Sequence, residues 1–194
     1  MTTNESFPKF DLPVDFIADD SITGDILNYY GNFPCKIKAG VFVLCTEGMV
    51  RATINLLEIV IRKNDFIVVL PNSFIQIHEV SSDTRISFAG FSSDFMLSGN
   101  YVEILLDFMP MILNSPVISL QEDVAGLYRN VYLLLIRAYT LPHSLENKEI
   151  IRSVLAIFLQ GTKELYKRYG KKLDEPLRRE QELYRQFIQL LMAH

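Results

Sequence analysis

The sequence predicts an α+β fold, in which an antiparallel β-barrel or sandwich is followed by a C-terminal helical segment. The first half contains short β-branched runs at roughly ten-residue spacing, separated by turn residues. The second half carries apolar residues at helical spacing, and no helix alternates with the strands, which disfavours a parallel sheet. The composition, 49% hydrophobic and 22% charged, is that of a globular domain.

Six strands are predicted in the first half of the chain, and together with an N-terminal arm they make up a predicted unit over residues 1–98. Glycine, proline, asparagine and aspartate between the runs favour turns. The predicted strands cover residues 36–45, 49–55, 57–61, 66–70, 73–80 and 85–91.

Helical periodicity begins after Ser93, and a predicted helical segment covers residues 99–175. A first helix is predicted over 101–109, and a second follows a possible capping box of Ser119 with Glu122. A third helix runs over 145–169, and a last one begins around Pro176, a favourable first-turn residue. The second helix places one set of apolar residues on a single face: Val124, Leu127, Val131, Leu134, Leu135 and Ala138.

The helix over 145–169 carries two apolar stripes. One has the alternating three- and four-residue spacing of a coiled-coil seam, and it consists of Ile151, Val154, Phe158, Gly161 and Leu165. The other consists of Leu155, Leu159 and Tyr166. Both stripes can lie inside one monomer core, or one can pack against the same helix of a second chain. We favour a homodimer through the seam, because the helix is long and the domain is small.

No constellation of reactive residues is evident, so we predict no catalytic residues, no metal site, no cofactor and no enzymatic activity. His78, His143 and His194 lie far apart, and only His78 falls on a predicted strand. Gly-x-Ser-x-Gly, Gly-x-Gly-x-x-Gly and P-loop patterns are absent. Cys35 and Cys45, about 30 Å apart if they share one strand, are too distant for a disulfide and are expected to be reduced.

Composition also bounds the location and partners of the chain. No apolar run approaches the roughly 20 residues of a membrane helix, and the first 25 residues resemble neither a secretory signal nor a transit peptide. We therefore predict a cytoplasmic protein without membrane contact. The net charge of −4 lacks the basic footprint of a segment that binds DNA by itself.

The run over residues 41–91 resembles the N-terminal half of AraC-type transcription regulators. The family pattern is an apolar strand, a turn glycine, a strand, a Gly-Asp turn, an apolar strand and a Pro-Gly turn. Here Gly48 is the turn glycine, and Asn64-Asp65 and Pro71-Asn72 stand at the later turns. The tail over 178–194 is similar to the linker and first helix that lead into the DNA-binding region of that family.

This resemblance implies a cupin-like effector-binding barrel and a helical dimerisation segment. It also implies a pair of C-terminal helix-turn-helix units that bind DNA. The amphipathic pattern still runs at His194, so we expect residues 176–194 to be a linker helix that continues into those units. DNA would then be contacted only through that missing region.

The resemblance also suggests where an effector binds. The corresponding barrel-wall positions are Ile75, Ile77, Ser87 and Ala89, and an arm around residues 7–16, which includes Pro8, would cover the ligand. Because these positions are mostly apolar, an apolar or small mixed effector, or none, fits better than a sugar.

Two other function classes stay open. One is a cupin-fold metal-dependent isomerase or oxygenase. The other is a cyclic-nucleotide-type barrel sensor, because the run from Gly48 to Thr53 distantly resembles the arginine-containing phosphate cassette of those sensors. The Gly-Glu-Leu element that precedes that cassette is missing. The effector, the target DNA and the sign of regulation are not readable from the sequence.

Overall fold

The structure is a computed structural model, and it describes residues 9–31, 33–97, 101–140, 148–169, 183 and 186. Within these residues the strands are β1 (Lys9–Phe10), β2 (Phe16–Thr23), β3 (Cys35–Ile37), β4 (Gly40–Glu47), β5 (Met49–Ile54), β6 (Leu57–Arg62), β7 (Asp65–Val69), β8 (Ser73–Val80), β9 (Arg85–Phe91) and β10 (Val117–Ser119). The helices are α1 (Gly24–Tyr30), α2 (Ser93–Leu97), α3 (Tyr101–Asn114), α4 (Glu122–Thr140) and α5 (Lys148–Tyr169).

The strands form two five-stranded sheets. The first sheet has the order β1-β3-β8-β5-β6, and the second has the order β10-β7-β4-β9-β2. All neighbours pair antiparallel except β1 and β3, which are parallel. The described helices other than α1 follow β9 in sequence, with the short strand β10 between α3 and α4, and none of them is both long and apolar enough to cross a membrane.

Two apolar cores lie on opposite faces of the second sheet. The inter-sheet core joins residues of both sheets, such as Val50 and Ala52 of the first with Ile67 and Ile86 of the second. The helix-side core joins the other face of the second sheet to α2, α3, α4 and α5. The second sheet is therefore a shared wall between the inter-sheet space and the helical layer.

The predicted α+β class, with antiparallel strands first and helices after them, is confirmed. Strands β8 and β9 have the predicted bounds. The predicted strand over 36–45 is divided into β3 and β4, which lie in different sheets. Cys35 and Cys45 are both free thiols.

Two local expectations were wrong, and strand β2 was not predicted. In β2, Asp19 and Asp20 lie at an irregularity of its pairing with β9. Pro110 stands inside α3, which continues past the expected end at 109. Ser119 lies in β10 and donates a hydrogen bond to the Asp65 carboxylate over 2.6 Å, so it does not cap α4. The predicted last helix falls outside the described residues apart from Leu183 and Gln186, both of which are helical.

Gly48 forms the turn between β4 and β5 with a φ of +77°. A Cβ atom there would also lie 2.6 Å from the Thr84 Cα atom, so both the conformation and the space require glycine. We expect Gly48→Ala to lower the free energy of unfolding by about 1–3 kcal/mol, measured by urea denaturation.

The control is Gly126→Ala. Gly126 lies within α4, where an added Cβ meets only the end of the Arg129 side chain at 3.7 Å. Alanine is the better helix former by about 1 kcal/mol, so this variant should gain stability. A Gly48→Ala protein as stable as the wild type would contradict the assigned turn.

Candidate functional site

The inward faces of the two sheets are aliphatic. Strand pairing fixes which residues share this face, because Val43 pairs with Phe88 in the second sheet and Ala52 pairs with Ile77 in the first. The core between the sheets contains valine, isoleucine, leucine, alanine, phenylalanine and one cysteine. This lining suits an apolar molecule.

One flank of the inter-sheet space is filled and the other is partly open. On β5 and β7 the inward residues are buried, as Ala52 and Val69 illustrate, and on β6 Ile61 is buried while Ile59 is half-buried. On β4 and β9, Cys45 and Ile86 are buried at one end. The other inward residues of β3, β4, β8 and β9 are largely half-buried: Ile37, Val41, Val43, Ile75, Ile77 and Phe88. Because β4 and β9 are interior strands of their sheet, the exposure of Val43 and Phe88 means that the space above them is incompletely filled.

Two segments cover this open flank in part. Helix α1 lies on β8, and a Cβ built on Gly31 would approach Ile77 to 3.3 Å. Before α1, the chain passes from β1 in the first sheet to β2 in the second, and on this path the Leu12 side chain lies 3.0 Å from the Cβ position of Gly90. The described part of the predicted arm thus connects the two sheets at the flank where the space is open.

The structure separates the predicted effector residues. Ile75 and Ile77 face the inter-sheet space, where they pair with Ile54 and Ala52. Ser87 pairs with Leu44, and Ala89 belongs to the helix-side core, so both face the helices.

The remaining predicted effector residue, Pro8, lies outside the described residues. Inward residues that the sequence reasoning missed are Val41, Val43 and Phe88. Strand β9 is buried on both faces, so the periodicity of its sequence does not show that Phe88 faces the space between the sheets.

The predicted dimer seam packs largely within its own chain. Phe158 contacts the rings of Phe42 and Tyr132 at centroid distances of 4.8 and 5.5 Å. A Cβ on Gly161 would meet the Tyr128 hydroxyl at 2.9 Å, and Leu165 is buried. Ile151 and Val154 pack at the edge of the same core.

Helix α4 exposes an apolar stripe to solvent. Leu127 and Leu134 are 61% and 53% exposed, and they continue through Val131 to Ala138 with a spacing of four, three and four residues. This α4 stripe lies beside the buried face of the helix, which is formed by Ala125, Tyr128, Tyr132 and Leu135. Its spacing is that of a helix–helix seam.

Consecutive residues of β4 connect the two layers. Val43 faces the inter-sheet space, while Phe42 and Leu44 enter the helix-side core. Phe42 contacts both Phe91 and Phe158. A molecule that displaces Val43 therefore acts on a strand whose opposite face carries α5.

The Cys45 thiol and the Tyr132 hydroxyl are buried and stay protonated at neutral pH. Burial raises the pKa of the Cys45 thiol to about 11 and that of the Tyr132 hydroxyl well above its usual value. His78 is exposed on the outer face of the first sheet, 2.7 Å from the Thr53 hydroxyl. The described part of the chain holds no cluster of three or more His, Cys, Asp or Glu suited to a metal ion.

A second concave feature lies at the free edges of the sheets. A groove of about 590 Å³ runs between β6, the edge of the first sheet, and β10, the edge of the second. Leu57, Ile59 and Val117 contribute apolar surface to it, and Arg62 and Lys63 add exposed cations. We call it the edge groove.

These features define an α+β protein with an aliphatic space between two sheets and a helical layer on one of them. No protein-family model matches the chain, and no curated protein is similar to it. Among solved structures it is similar to the AraC-like transcriptional activator CuxR, with 10% identity over 81% of this chain and 52% of that chain and a TM-score of 0.46.

Two further solved structures show a partial likeness. ToxT from Vibrio cholerae strain SCE256, bound to an unsaturated fatty acid, has 8% identity over 89% of this chain and 62% of that chain, with a TM-score of 0.41. The ethanolamine utilization protein EutQ from Salmonella typhimurium LT2 has 13% identity over 40% of this chain and 55% of that chain, with a TM-score of 0.28. The chain spans between about half and two thirds of the length of these proteins.

Proposed function

We propose that the chain is the ligand-sensing and dimerising part of a cytoplasmic, sequence-specific DNA-binding transcription regulator of AraC type. The observation that carries the proposal is the shared wall, because one sheet lines an open aliphatic space and supports the helical layer. The turn pattern at Gly48, Asn64-Asp65 and Pro71-Asn72 supports the family assignment.

The proposed effector is a small apolar molecule. It occupies the half-buried flank lined by Val41, Val43, Ile75, Ile77 and Phe88, beneath the segment that includes Leu12. The protein binds it without chemistry, metal or cofactor. Binding shifts the arrangement of the helices only to the extent that the effector prefers one arrangement over another.

The proposed homodimer forms through the α4 stripe. The α5 seam is occupied by contacts within the chain, whereas Leu127 and Leu134 have no cover among the described residues. The same sheet that lines the effector space contacts α4 through β2, β4 and β9. The effector thereby biases the relative placement of two DNA-binding regions that would follow this segment. Sequencing the gene beyond codon 194 tests the proposed DNA-binding region, since this coding sequence should specify two helix-turn-helix patterns.

Calorimetry with 1-hexanol, 1-octanol and 1-decanol tests the effector site. Each buried methylene contributes about 0.8 kcal/mol, so we expect Kd to tighten roughly fourfold per added methylene as long as the chain stays buried. Val43→Trp fills the open flank and should weaken decanol binding at least tenfold.

Ile157→Trp is the matched control, because Ile157 is 67% exposed on the far side of α5 from the core. It should leave decanol binding unchanged. Urea denaturation without ligand checks that both variants fold. Wild-type protein that binds no alcohol saturably, or equal binding by both variants, would remove the proposed effector site.

A further inference from the structure

Within the part of the chain that the structure describes, the backbone of β6 is unpaired along one side. There β6 pairs with β5 alone, through a two-residue turn in which Asn55 and Leu56 have φ of +47° and +72°. Residues that flank such a turn exchange both hydrogen bonds, and the pairing then alternates. The N–H and C=O groups of Glu58 and Val60 therefore point away from β5 and into the edge groove.

The opposite wall of the edge groove is a second free edge. Strand β10 is joined to β7, where the Val68 N–H donates to the Pro116 carbonyl over 3.1 Å. The same alternation turns the backbone groups of Val117 and Ser119 toward the groove. The Ser115 hydroxyl donates to the Val117 carbonyl over 3.1 Å, and the described residues supply no strand beyond β10.

Side chains give the edge groove an apolar floor with a charge at each end. Leu57, Ile59 and Val117 form the floor, and Glu58 lies toward the turn end. Arg62 and Lys63 lie at the other end, where neither forms an ion pair with a carboxylate of the described residues.

The buried Asp65 forms no ion pair with either cation among the described residues. Its carboxylate accepts hydrogen bonds from the Arg62 backbone N–H over 2.7 Å and from the Ser119 hydroxyl over 2.6 Å. Lys63 contributes to the lowered pKa of the Glu122 carboxyl, and both cations are exposed where an incoming anion can meet them.

We propose that the edge groove is a docking site for an extended peptide segment, which adds as a strand to the free edge of β6. Its alternate apolar side chains lie on Leu57, Ile59 and Val117, and its carboxylates meet Arg62 and Lys63. Main-chain hydrogen bonds supply affinity in strand addition, while the pockets and charges along the groove select the sequence. The site lies at the β6 and β10 edges of the two sheets, away from the β4, β8 and β9 residues that line the proposed effector site.

The chemistry of the groove favours a peptide over a helix or a free organic anion. The edge of β6 presents unpaired donors and acceptors at the regular spacing of a β-ladder, which neither a helix nor an aliphatic carboxylate can satisfy. On β10 the Val117 carbonyl already accepts the Ser115 hydroxyl, so the added strand pairs with β6. An exposed edge with an apolar residue such as Val60, which is 39% exposed, is moreover a template for strand pairing.

The test uses fluorescence anisotropy with a labelled eight-residue peptide of alternating valine and threonine that ends in two glutamates. We expect saturable binding to the whole chain, weakened at least tenfold by Arg62→Glu combined with Lys63→Glu. That variant should in turn prefer a peptide that ends in two lysines. Arg51→Glu, on the neighbouring strand and outside the groove, is the control and should bind like wild type.

Backbone pairing is tested on the peptide, so that protein folding is not at issue. N-methylation of one alternate set of its amides should abolish binding, and methylation of the other set should be tolerated, because only one edge of an added strand pairs with β6. Equal tolerance of both sets, or no effect of the charge reversal, would overturn the proposal. So would oleate binding at Glu58 and Val60, seen by NMR, without peptide binding there.

Discussion

Phe158→Ala is expected to lower the free energy of unfolding by about 3–5 kcal/mol, the usual cost of emptying a buried phenylalanine site. Phe158 is 2% exposed and lies among four rings. Its centroid is 4.8 Å from that of Phe42, 5.5 Å from Tyr132, 5.7 Å from Tyr128 and 5.9 Å from Phe66. Urea denaturation measures the change.

The neighbouring residue provides the control. Ile157 is 67% exposed, so Ile157→Ala should change the free energy of unfolding by less than about 0.5 kcal/mol. A result in which Phe158→Ala dissociates a dimer without destabilising the subunit would restore the α5 seam as the dimer interface.

Leu127→Asp combined with Leu134→Asp is expected to weaken the dimer at least 100-fold. In the proposed dimer, a two-fold axis relates two antiparallel copies of α4. Leu127 of one chain then lies opposite Leu134 of the second chain. It also places Arg137 near the acidic first turn that contains Asp123. A carboxylate in place of each leucine would then be buried without a partner, at a cost of several kcal/mol.

Sedimentation equilibrium at 10–100 µM measures this loss. Leu56→Asp is the control, because Leu56 is 84% exposed in the β5–β6 turn, away from α4. A wild-type chain that is monomeric throughout this concentration range would contradict the proposed dimer. A double variant that loses stability at unchanged monomer mass would show instead that another part of the same chain covers the α4 stripe.

The strands predicted best are those in which the flanking turn residues and the apolar alternation indicate the same bounds. Strand β8 lies between the turn at Pro71-Asn72 and the polar residues after Val80, and its bounds match the prediction. Strand β2 was missed because Asp19 and Asp20 interrupt its apolar alternation where its pairing with β9 becomes irregular. A local irregularity of pairing is set by the neighbouring strand, which the segment itself does not encode.

Helical periodicity identified the faces of α5 but not their partners. Both stripes were recognised. The stripe that ends in Leu165 has the same apolar pattern whether a sheet of its own chain or a second chain covers it. The structure places Phe158 and Gly161 against Tyr128 and the second sheet. The sequence also contained the α4 stripe, and its exposure became visible only once the layers were assembled.

The edge groove was beyond sequence reasoning for a different reason. A strand was predicted over 57–61 and is observed over Leu57–Arg62, but whether a strand lies at an edge depends on the order of all the others. The unpaired side of Glu58 and Val60 follows from that order and from the turn at Asn55.

The shared wall also constrains how this chain can diverge. In β4, a substitution that reshapes the proposed effector site at Val43 also acts on its neighbour Phe42, which packs against α5 through Phe158. In β8, the neighbours of Ile75 and Ile77 point to solvent, so new ligand preferences can arise there at little cost to stability. Selection for a different effector is therefore expected to accumulate changes in the first sheet and to leave the second almost untouched.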